Sequence, residues 1–199
     1  MIQPQSPLRA GAPLIALLCT LLLCSGCSRL LVAVDSNAIN DPPGKRTMAQ
    51  QLADESIELK AVVNMHAADS NFKGSHIVAV SYNGYVLLAG QVANEALKKK
   101  AADVVRDIRH VRRIYNELEV SAPTASLVRT SDTWITAKIK SSLLAGSDTP
   151  GLRTKVVTEN GVVYLMGMVT REEGERLARA AADISGVQRV VRLFEIIGA

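Results

Sequence analysis

Residues 83–92 read Asn-Gly-Tyr-Val-Leu-Leu-Ala-Gly-Gln-Val, and residues 160–169 read Asn-Gly-Val-Val-Tyr-Leu-Met-Gly-Met-Val. The two phrases start 77 residues apart and share Asn, Gly, Val, Leu, Gly and Val at the same positions. An Asn-Gly pair between apolar runs favours a type I′ hairpin turn, because both central residues of that turn need positive φ. A repeat this long indicates two small domains of one fold rather than a solenoid of short repeats.

The same order of elements is predicted around both phrases. In the first copy, a helix opened by a capping box at Thr47 precedes two strands, a second helix and a third strand, predicted over 77–82, 86–92, 94–107 and 111–120. In the second copy these elements are predicted over 131–145, 154–159, 162–169, 171–185 and 187–197. A helix between two strands of one sheet implies a parallel crossover. Each unit is therefore predicted as α-β-β-α-β, an α+β fold in which two helices cover a three-stranded mixed sheet.

The apolar positions of the first helix of each copy define the predicted core. The core stripe is Ile57, Ala61 and Met65 in the first copy, preceded at near-helical spacing by Leu52, and Ile135, Ile139 and Leu143 in the second. The domains are predicted to span 47–120 and 129–199, with a linker at 121–128 that contains Pro123. At about 70 residues each domain has a small core, so we expect the two copies to pack against one another.

The N-terminal segment has the features of an export signal. Arg9 precedes an apolar run from Leu14 to Leu23, which is too short to span a bilayer and fits a signal peptide over residues 1–26. The following Cys24-Ser-Gly-Cys27 resembles the lipobox of bacterial lipoproteins, although Cys24 stands where Leu is usual. By that resemblance Cys27 is lipidated, residues 27–46 form a tether, and Ser28 in place of Asp implies delivery to the outer membrane. The alternative is a plain secretory signal with an incidental Cys27.

Composition argues against several classes of function. Cleavage before Cys27 leaves 22 basic and 19 acidic residues, a balance too mild to indicate nucleic-acid binding. All three cysteines lie in the export segment, so the body is expected to hold no disulfide and no thiolate metal site. The three histidines have no metal-binding or catalytic spacing, and the four tyrosines fit sheet positions better than an acid–base set. We therefore expect a non-enzymatic protein without a cofactor.

The repeated phrases, together with Gly186-Val-Gln-Arg-Val190 before the last strand, resemble the BON domain family. In the first copy that second motif is degraded to residues 109–114. A lipobox followed by two BON copies is similar to the dual-BON outer-membrane lipoproteins. The resemblance implies a periplasmic protein anchored to the outer membrane through Cys27. It further implies binding of anionic phospholipid, such as phosphatidylglycerol or cardiolipin, and support of outer-membrane integrity, often at the division site.

The first helices of the two copies differ in a way that predicts a binding surface. Trp134, the single tryptophan of the chain, aligns with Ser56 and lies about 100° around the helix from Ile135. The first helix of the second copy is also more basic than the first helix of the first copy. An indole beside lysines suits a lipid headgroup boundary, and the family resemblance implies the same helix. The predicted phospholipid-binding residues are Trp134, Lys138, Lys140, Ser141, Leu144 and Ala145.

Other interpretations of these residues stay open at the level of sequence. Trp134 could instead pack between the domains or against its own sheet. It could also be a protein–protein hot spot, in an adaptor that uses this helix to bind outer-membrane assembly proteins. The run from Lys98 to Lys100 is interpreted as a solvated helix face, with Glu95 paired to Lys99.

Overall fold

The computed structural model describes residues 44–146 and 149–198. The predicted signal peptide, Cys27 and most of the tether lie outside these ranges. The first repeat contains α1 (Met48–Ala68), β1 (His76–Tyr82), β2 (Tyr85–Val92), α2 (Glu95–Arg106) and β3 (Arg113–Val120). The second contains α3 (Ser126–Ala145), β4 (Thr154–Glu159), β5 (Val162–Val169), α4 (Arg171–Ala182) and β6 (Arg189–Ile196). A short 3₁₀ helix, unpredicted, precedes the first strand of each sheet, at Ser70–Gly74 and Gly151–Arg153.

The two sheets have the same topology, and it is the predicted one. β2 lies between β1, to which it is antiparallel, and β3, to which it is parallel. β5 occupies the same central place between β4 and β6. Both Asn-Gly turns have positive φ at their two central residues, 52° and 75° at Asn83 and Gly84, and 50° and 73° at Asn160 and Gly161. The prediction of two mixed sheets that begin with type I′ hairpins is confirmed.

Helix starts follow the sequence where a cap exists and depart from it where none does. The capping box at Thr47 is formed, because Thr47 Oγ1 accepts from the Gln50 amide at 3.2 Å and Gln50 Oε1 accepts from the Thr47 amide at 2.7 Å. The first helix of the second repeat was predicted to begin at Ser131, but α3 begins at Ser126, inside the predicted linker. Ala125 precedes it without a side-chain cap. With no capping residue to mark the start and no breaker after Pro123, the helix extends further than its pattern suggested.

Two predicted boundaries shift because of left-handed residues before the last strands. His110 has φ of 73° and Gly186 has φ of 100°. These turns delay β3 to Arg113 and β6 to Arg189, whereas the sequence suggested starts at 111 and 187. α4 also ends at Ala182 rather than near 185. Positive φ breaks both helix and strand geometry, so the chain needs these residues to turn into the parallel strand.

The predicted core faces of the first helices are confirmed. Ile57, Ala61 and Met65 are buried under α2 and the first sheet, as are their counterparts Ile135, Ile139 and Leu143 in the second repeat. Leu52, noted in the sequence at near-helical spacing before this stripe, is 63% exposed and lies outside the core. It precedes Ile57 by five residues, which places it about 140° away around the helix.

The opposite faces of the two sheets pack against each other, as expected from the small size of each repeat. One buried cluster contains residues of both sheets, among them Leu87 and Ala89 of β2 and Tyr164 and Met166 of β5. Polar contacts surround it, including Lys155 with Glu58 at 2.5 Å and Arg112 with Glu195 at 2.9 Å. Because each sheet is covered on both faces, β2 and β5 are nearly continuous apolar runs rather than alternating ones.

Candidate functional site

The candidate surface is the outer face of α3, and contacts on the buried side of this helix fix its orientation. Ile135, Ile139 and Leu143 are buried in the core of the second repeat. The carboxylate of Asp132 accepts hydrogen bonds from the amides of Asn160 and Gly161, at 2.8 and 2.9 Å. These contacts tie the helix to the β4–β5 turn. Rotation of α3 about its axis would break both the packing and the hydrogen bonds.

Trp134 lies on the side of α3 that faces solvent. Its side chain is 70% exposed. The alternative in which the indole packs between the two repeats or against its own sheet is therefore wrong for this structure. A large exposed aromatic side chain is unusual on a protein surface, because tryptophan is highly buried on average.

Trp134 belongs to an uncharged strip along the helix. Taking about 100° per residue, Leu127, Ser141 and Ala145 lie within roughly 20° of Trp134. All are exposed, Leu127 to 81%, and Leu144 extends the strip on one side. We call these five residues the α3 strip. Leu127 was missed by the sequence reasoning because it fell in the predicted linker, and only the earlier start of α3 brings it into line.

Cationic side chains lie on both sides of the α3 strip. Lys138 flanks it on one side, where its Nζ also donates to the carbonyl of Ser185 at 2.8 Å. Lys140, which is exposed, lies on the other side, about 120° around the helix from Trp134, whereas Arg129 is half-buried and nearer the core face. The one carboxylate in α3, Asp132, is buried and bonded to the turn. The exposed face of α3 therefore combines apolar and cationic groups without an acidic one.

The outer face of α1 has a different character. Met48, Leu52, Leu59 and Val63 form an exposed apolar row opposite the buried face of the helix. The exposed carboxylate of Glu55 lies within this row. The sequence did not predict this row, because only the buried side of the helix was considered for its apolar spacing.

The lysine run on α2 is a solvated face, but its pairing differs from the predicted one. Lys99 pairs with Asp103 at 2.6 Å, four residues later, rather than with Glu95. Lys100 reaches Asp69 at 2.9 Å. Ion pairs at the protein surface contribute little to stability, because solvent screens the charges.

Two tyrosines lie in the packed interface between the sheets. Burial, together with a smaller contribution from the nearby carboxylate of Glu117, raises the pKa of Tyr164 to about 12. Burial also raises the pKa of Tyr82, whose hydroxyl donates to the carbonyl of Arg153 at 2.7 Å. Both phenols stay protonated at neutral pH and serve as packing residues.

Within residues 44–146 and 149–198, no group of three His, Cys, Asp or Glu side chains is placed to hold a metal ion.

In the ranges 44–146 and 149–198, no helix is both long and apolar enough to cross a bilayer. The α3 strip is a narrow feature on one face of a helix whose other face is in the protein core.

Relatives of known sequence match nearly the whole chain. It is 35% identical to the outer membrane lipoprotein DolP of Haemophilus influenzae over 196 residues, which is 96% of this chain and 98% of that protein. It is 31% identical to a 21 kDa hemolysin of Actinobacillus pleuropneumoniae over 78% of this chain and 80% of that one. Among solved structures, the C-terminal domain of CdsD from the Chlamydia trachomatis type III secretion system covers 73% of this chain and 67% of its own, at 15% identity and a TM-score of 0.29. That similarity is too low to add to the assignment.

The family model for the BON domain matches twice, over residues 53–122 and 131–198. These ranges contain the two α-β-β-α-β units with their equivalent hairpin turns and buried aspartates. The chain is therefore a member of the BON domain family with two tandem BON domains, similar along its length to the DolP type.

Proposed function

We propose that this chain is a non-enzymatic lipoprotein of the outer membrane, anchored at its periplasmic face through Cys27, and that α3 binds anionic phospholipid. The single observation that carries the proposal is the α3 strip with Trp134 at its centre and cations on both sides. The similarity to an outer membrane lipoprotein supports the proposed location. In this account the protein supports outer-membrane integrity, with the division site as a place where it acts.

The physical argument rests on where each group is most stable. Indoles favour the headgroup boundary, where the ring is apolar and the N–H stays hydrated. Each cation near an anionic leaflet contributes about 1 kcal/mol. Lys138 and Lys140 together would contribute roughly 2 kcal/mol, a factor of about 30 in the partition between water and membrane.

Such a contact is weak by itself, but an anchored protein does not bind from bulk solution. A lipid anchor confines the domain close to the leaflet, so the helix meets lipid at an effective concentration in the millimolar range. A contact with a millimolar dissociation constant is then substantially occupied. The role of α3 is accordingly to recognise headgroup charge and orient the domains, and the role of the anchor is attachment.

Liposome flotation of residues 28–199, which contain the whole compact unit Asp41–Ala199, tests the proposal. The wild-type fragment should float with vesicles that contain phosphatidylglycerol or cardiolipin, and less with phosphatidylcholine alone. Trp134→Glu should abolish flotation without changing the circular dichroism spectrum. Ser56→Glu is the matched control, because Ser56 is the equivalent position of the other repeat, and it should float as the wild type does. Undiminished flotation of Trp134→Glu would refute the assignment of the site.

A second candidate function is a protein adaptor for an envelope assembly machine. The alternative considered from the sequence used α3, but the exposed row on α1 favours a protein contact more directly. Its apolar side chains surround Glu55, which an anionic leaflet would repel and a basic groove on a partner would accept. A photo-crosslinker at Leu59 should then trap a protein in cells, whereas one at Trp134 should trap lipid. A protein adduct from position 134 and none from position 59 would instead support the adaptor role for α3.

A further inference from the structure

A cleft of about 830 Å³ opens beside the C-terminal end of α3. Separate parts of the chain line it: the residues just before α1, Gln51 of α1, Tyr82 at the end of β1, the stretch from Leu143 to Arg153 as far as it is described, and α4. The cleft thus lies where the two domains meet. Its volume is within the range of pockets that bind small molecules. We call it the junction cleft.

The lining of the junction cleft is cationic. Among the described residues it contains Lys45, Arg46, Arg153 and Arg176, and one carboxylate, that of Glu173. The cations come from three segments that are distant in sequence, so no helical periodicity or motif placed them together. Carboxylates offset part of this charge, because Asp54 pairs with Arg46, Glu173 with Arg153, and Glu172 lies 3.9 Å from Arg176. The four cations still outnumber these three carboxylates, and the excess positive charge favours an anion inside the cleft.

Two of these side chains are held in place by contacts with neighbouring side chains of the protein. The Arg46 guanidinium lies 3.8 Å from the centre of the Tyr82 ring and donates to Asp54 Oδ2 at 2.6 Å. Arg153 donates to Glu173 Oε1 at 2.9 Å. A guanidinium has five N–H donors in a planar fork, which matches the oxygen geometry of phosphate. Fixing the arginines in advance lowers the entropy lost when such a ligand binds.

The rim of the cleft is apolar. Leu152 is 92% exposed and Leu144 is 57% exposed, and both border the cleft. A cationic interior with an exposed leucine rim suits an amphiphile whose phosphate enters and whose hydrocarbon lies outside. Leu144 also belongs to the α3 strip, so a lipid at the cleft would lie at the edge of the surface proposed to meet the membrane.

We infer that the junction cleft binds a phosphate ester, with the headgroup phosphate of an anionic phospholipid as its source when α3 is on the membrane. The lipid source rests on the proposed function, whereas binding of a soluble phosphate ester does not. The cleft gives the protein a way to select headgroups that a flat helix face lacks. It also makes both domains, rather than the second alone, contribute to recognition.

The test has a soluble arm and a vesicle arm, both with residues 28–199. In the soluble arm, ¹⁵N-labelled protein is titrated with glycerol 3-phosphate and with inorganic phosphate, and the amides of Gly151, Leu152 and Arg153 are followed. Saturable shifts are expected below ~50 mM, in the range of weak millimolar affinity. Lys45→Gln with Arg176→Gln should weaken binding at least about tenfold, because two nearby charges are lost. Lys98→Gln with Lys99→Gln removes the same charge from α2 and should leave the shifts unchanged.

In the vesicle arm, flotation with phosphatidylglycerol is compared with flotation on phosphatidylcholine. The Lys45→Gln, Arg176→Gln variant should lose most of its preference for phosphatidylglycerol, while Trp134→Glu should lose flotation but keep the glycerol 3-phosphate shifts. If glycerol 3-phosphate shifts no cleft amide while the wild type floats, the cleft inference is overturned and the proposed function stands. If the shifts occur but the wild type does not float, the proposed function fails and the cleft remains a site for a soluble phosphate ester.

Discussion

The carboxylate of Asp132 accepts a hydrogen bond from the amide of Gly161 at 2.9 Å, and so connects the first helix of its domain to the hairpin turn. Asp54 and Gly84 repeat the contact at 2.9 Å in the first domain. In each turn the two amides at the Asn-Gly pair point at the same carboxylate. The repeated phrase and the repeated aspartate are therefore one structural unit.

Removing either carboxylate should destabilise the fold. Asp132→Ala removes the partner of the buried Gly161 amide and of the partly buried Asn160 amide, which should lower the free energy of unfolding by about 2–4 kcal/mol. Asp54→Ala should cost more, because Asp54 also accepts from Arg46 and from Ser81 Oγ. Urea unfolding followed by circular dichroism measures both. Equal losses below about 0.5 kcal/mol would mean that the turns do not depend on the carboxylates.

The first domain should lose stability in acid through Asp54. Burial raises the pKa of this carboxyl, but the hydrogen bonds from Ser81, Gly84, Arg46 and Asn83 outweigh it and hold its pKa below 3.8. A lowered folded pKa contributes stability that is present above the unfolded pKa and is lost as the pH falls through the folded pKa. The urea concentration at the midpoint of unfolding, measured for the wild type from pH 7 to pH 2.5, should decrease once the pH is below about 4.

The Asp54→Asn variant is the control for that pH dependence. It should be less stable at pH 7 and should show a shallower fall in acid, since the titrating group is gone. The same acid profile in both proteins would assign the loss to other carboxyls.

Adjacent leucines on β2 separate the two interfaces of the first sheet. Leu88 packs under the helices of its own domain, whereas Leu87 packs against the other sheet, and both are fully buried. We expect Leu87→Ala to cost about as much as Leu88→Ala, roughly 2–5 kcal/mol. The two domains should also unfold in a single transition. A near-neutral Leu87→Ala, or two separate calorimetric transitions, would mean that the sheets do not pack as a shared core.

Charge reversal on α3 should weaken binding to anionic vesicles more than the same change on α1. Lys140→Glu removes one attraction and adds one repulsion, each worth about fivefold in the partition coefficient at low salt. Lys60→Glu makes the same change on the exposed side of α1 and should have little effect. Co-sedimentation across a salt series measures both, and the difference should shrink as salt screens the surface. Equal losses in the two variants would indicate an effect of net charge alone.

The sequence predicted the fold well because its signals are local. Asn-Gly turns, the Thr47 capping box and the alternation of elements each depend on a few neighbouring residues. The roles of Asp54 and Asp132 were not predicted, because a carboxylate that caps a distant turn has no local signature. The apolar runs of β2 and β5 lack the alternation of a strand with one solvated face. From this pattern, packing between the two sheet faces that no helix covers could have been predicted.

The candidate site was predicted in part. The helical phase placed Trp134 outside the core, and the structure agrees. The predicted site did not include Leu127, because Ala125 provides no cap and the start of the helix was therefore predicted too late in the chain. The junction cleft was not foreseen, since Arg46, Arg153 and Arg176 meet only through the tertiary fold.

The most direct measurement uses the fact that Trp134 is the single tryptophan of the chain. Its fluorescence in residues 28–199 reports on this one position without any label. On addition of phosphatidylglycerol vesicles the emission maximum should move to shorter wavelength, and lipids brominated near the headgroup should quench it, while phosphatidylcholine vesicles should have little effect. An emission spectrum that stays unchanged and unquenched when the protein is bound to anionic vesicles would contradict the account.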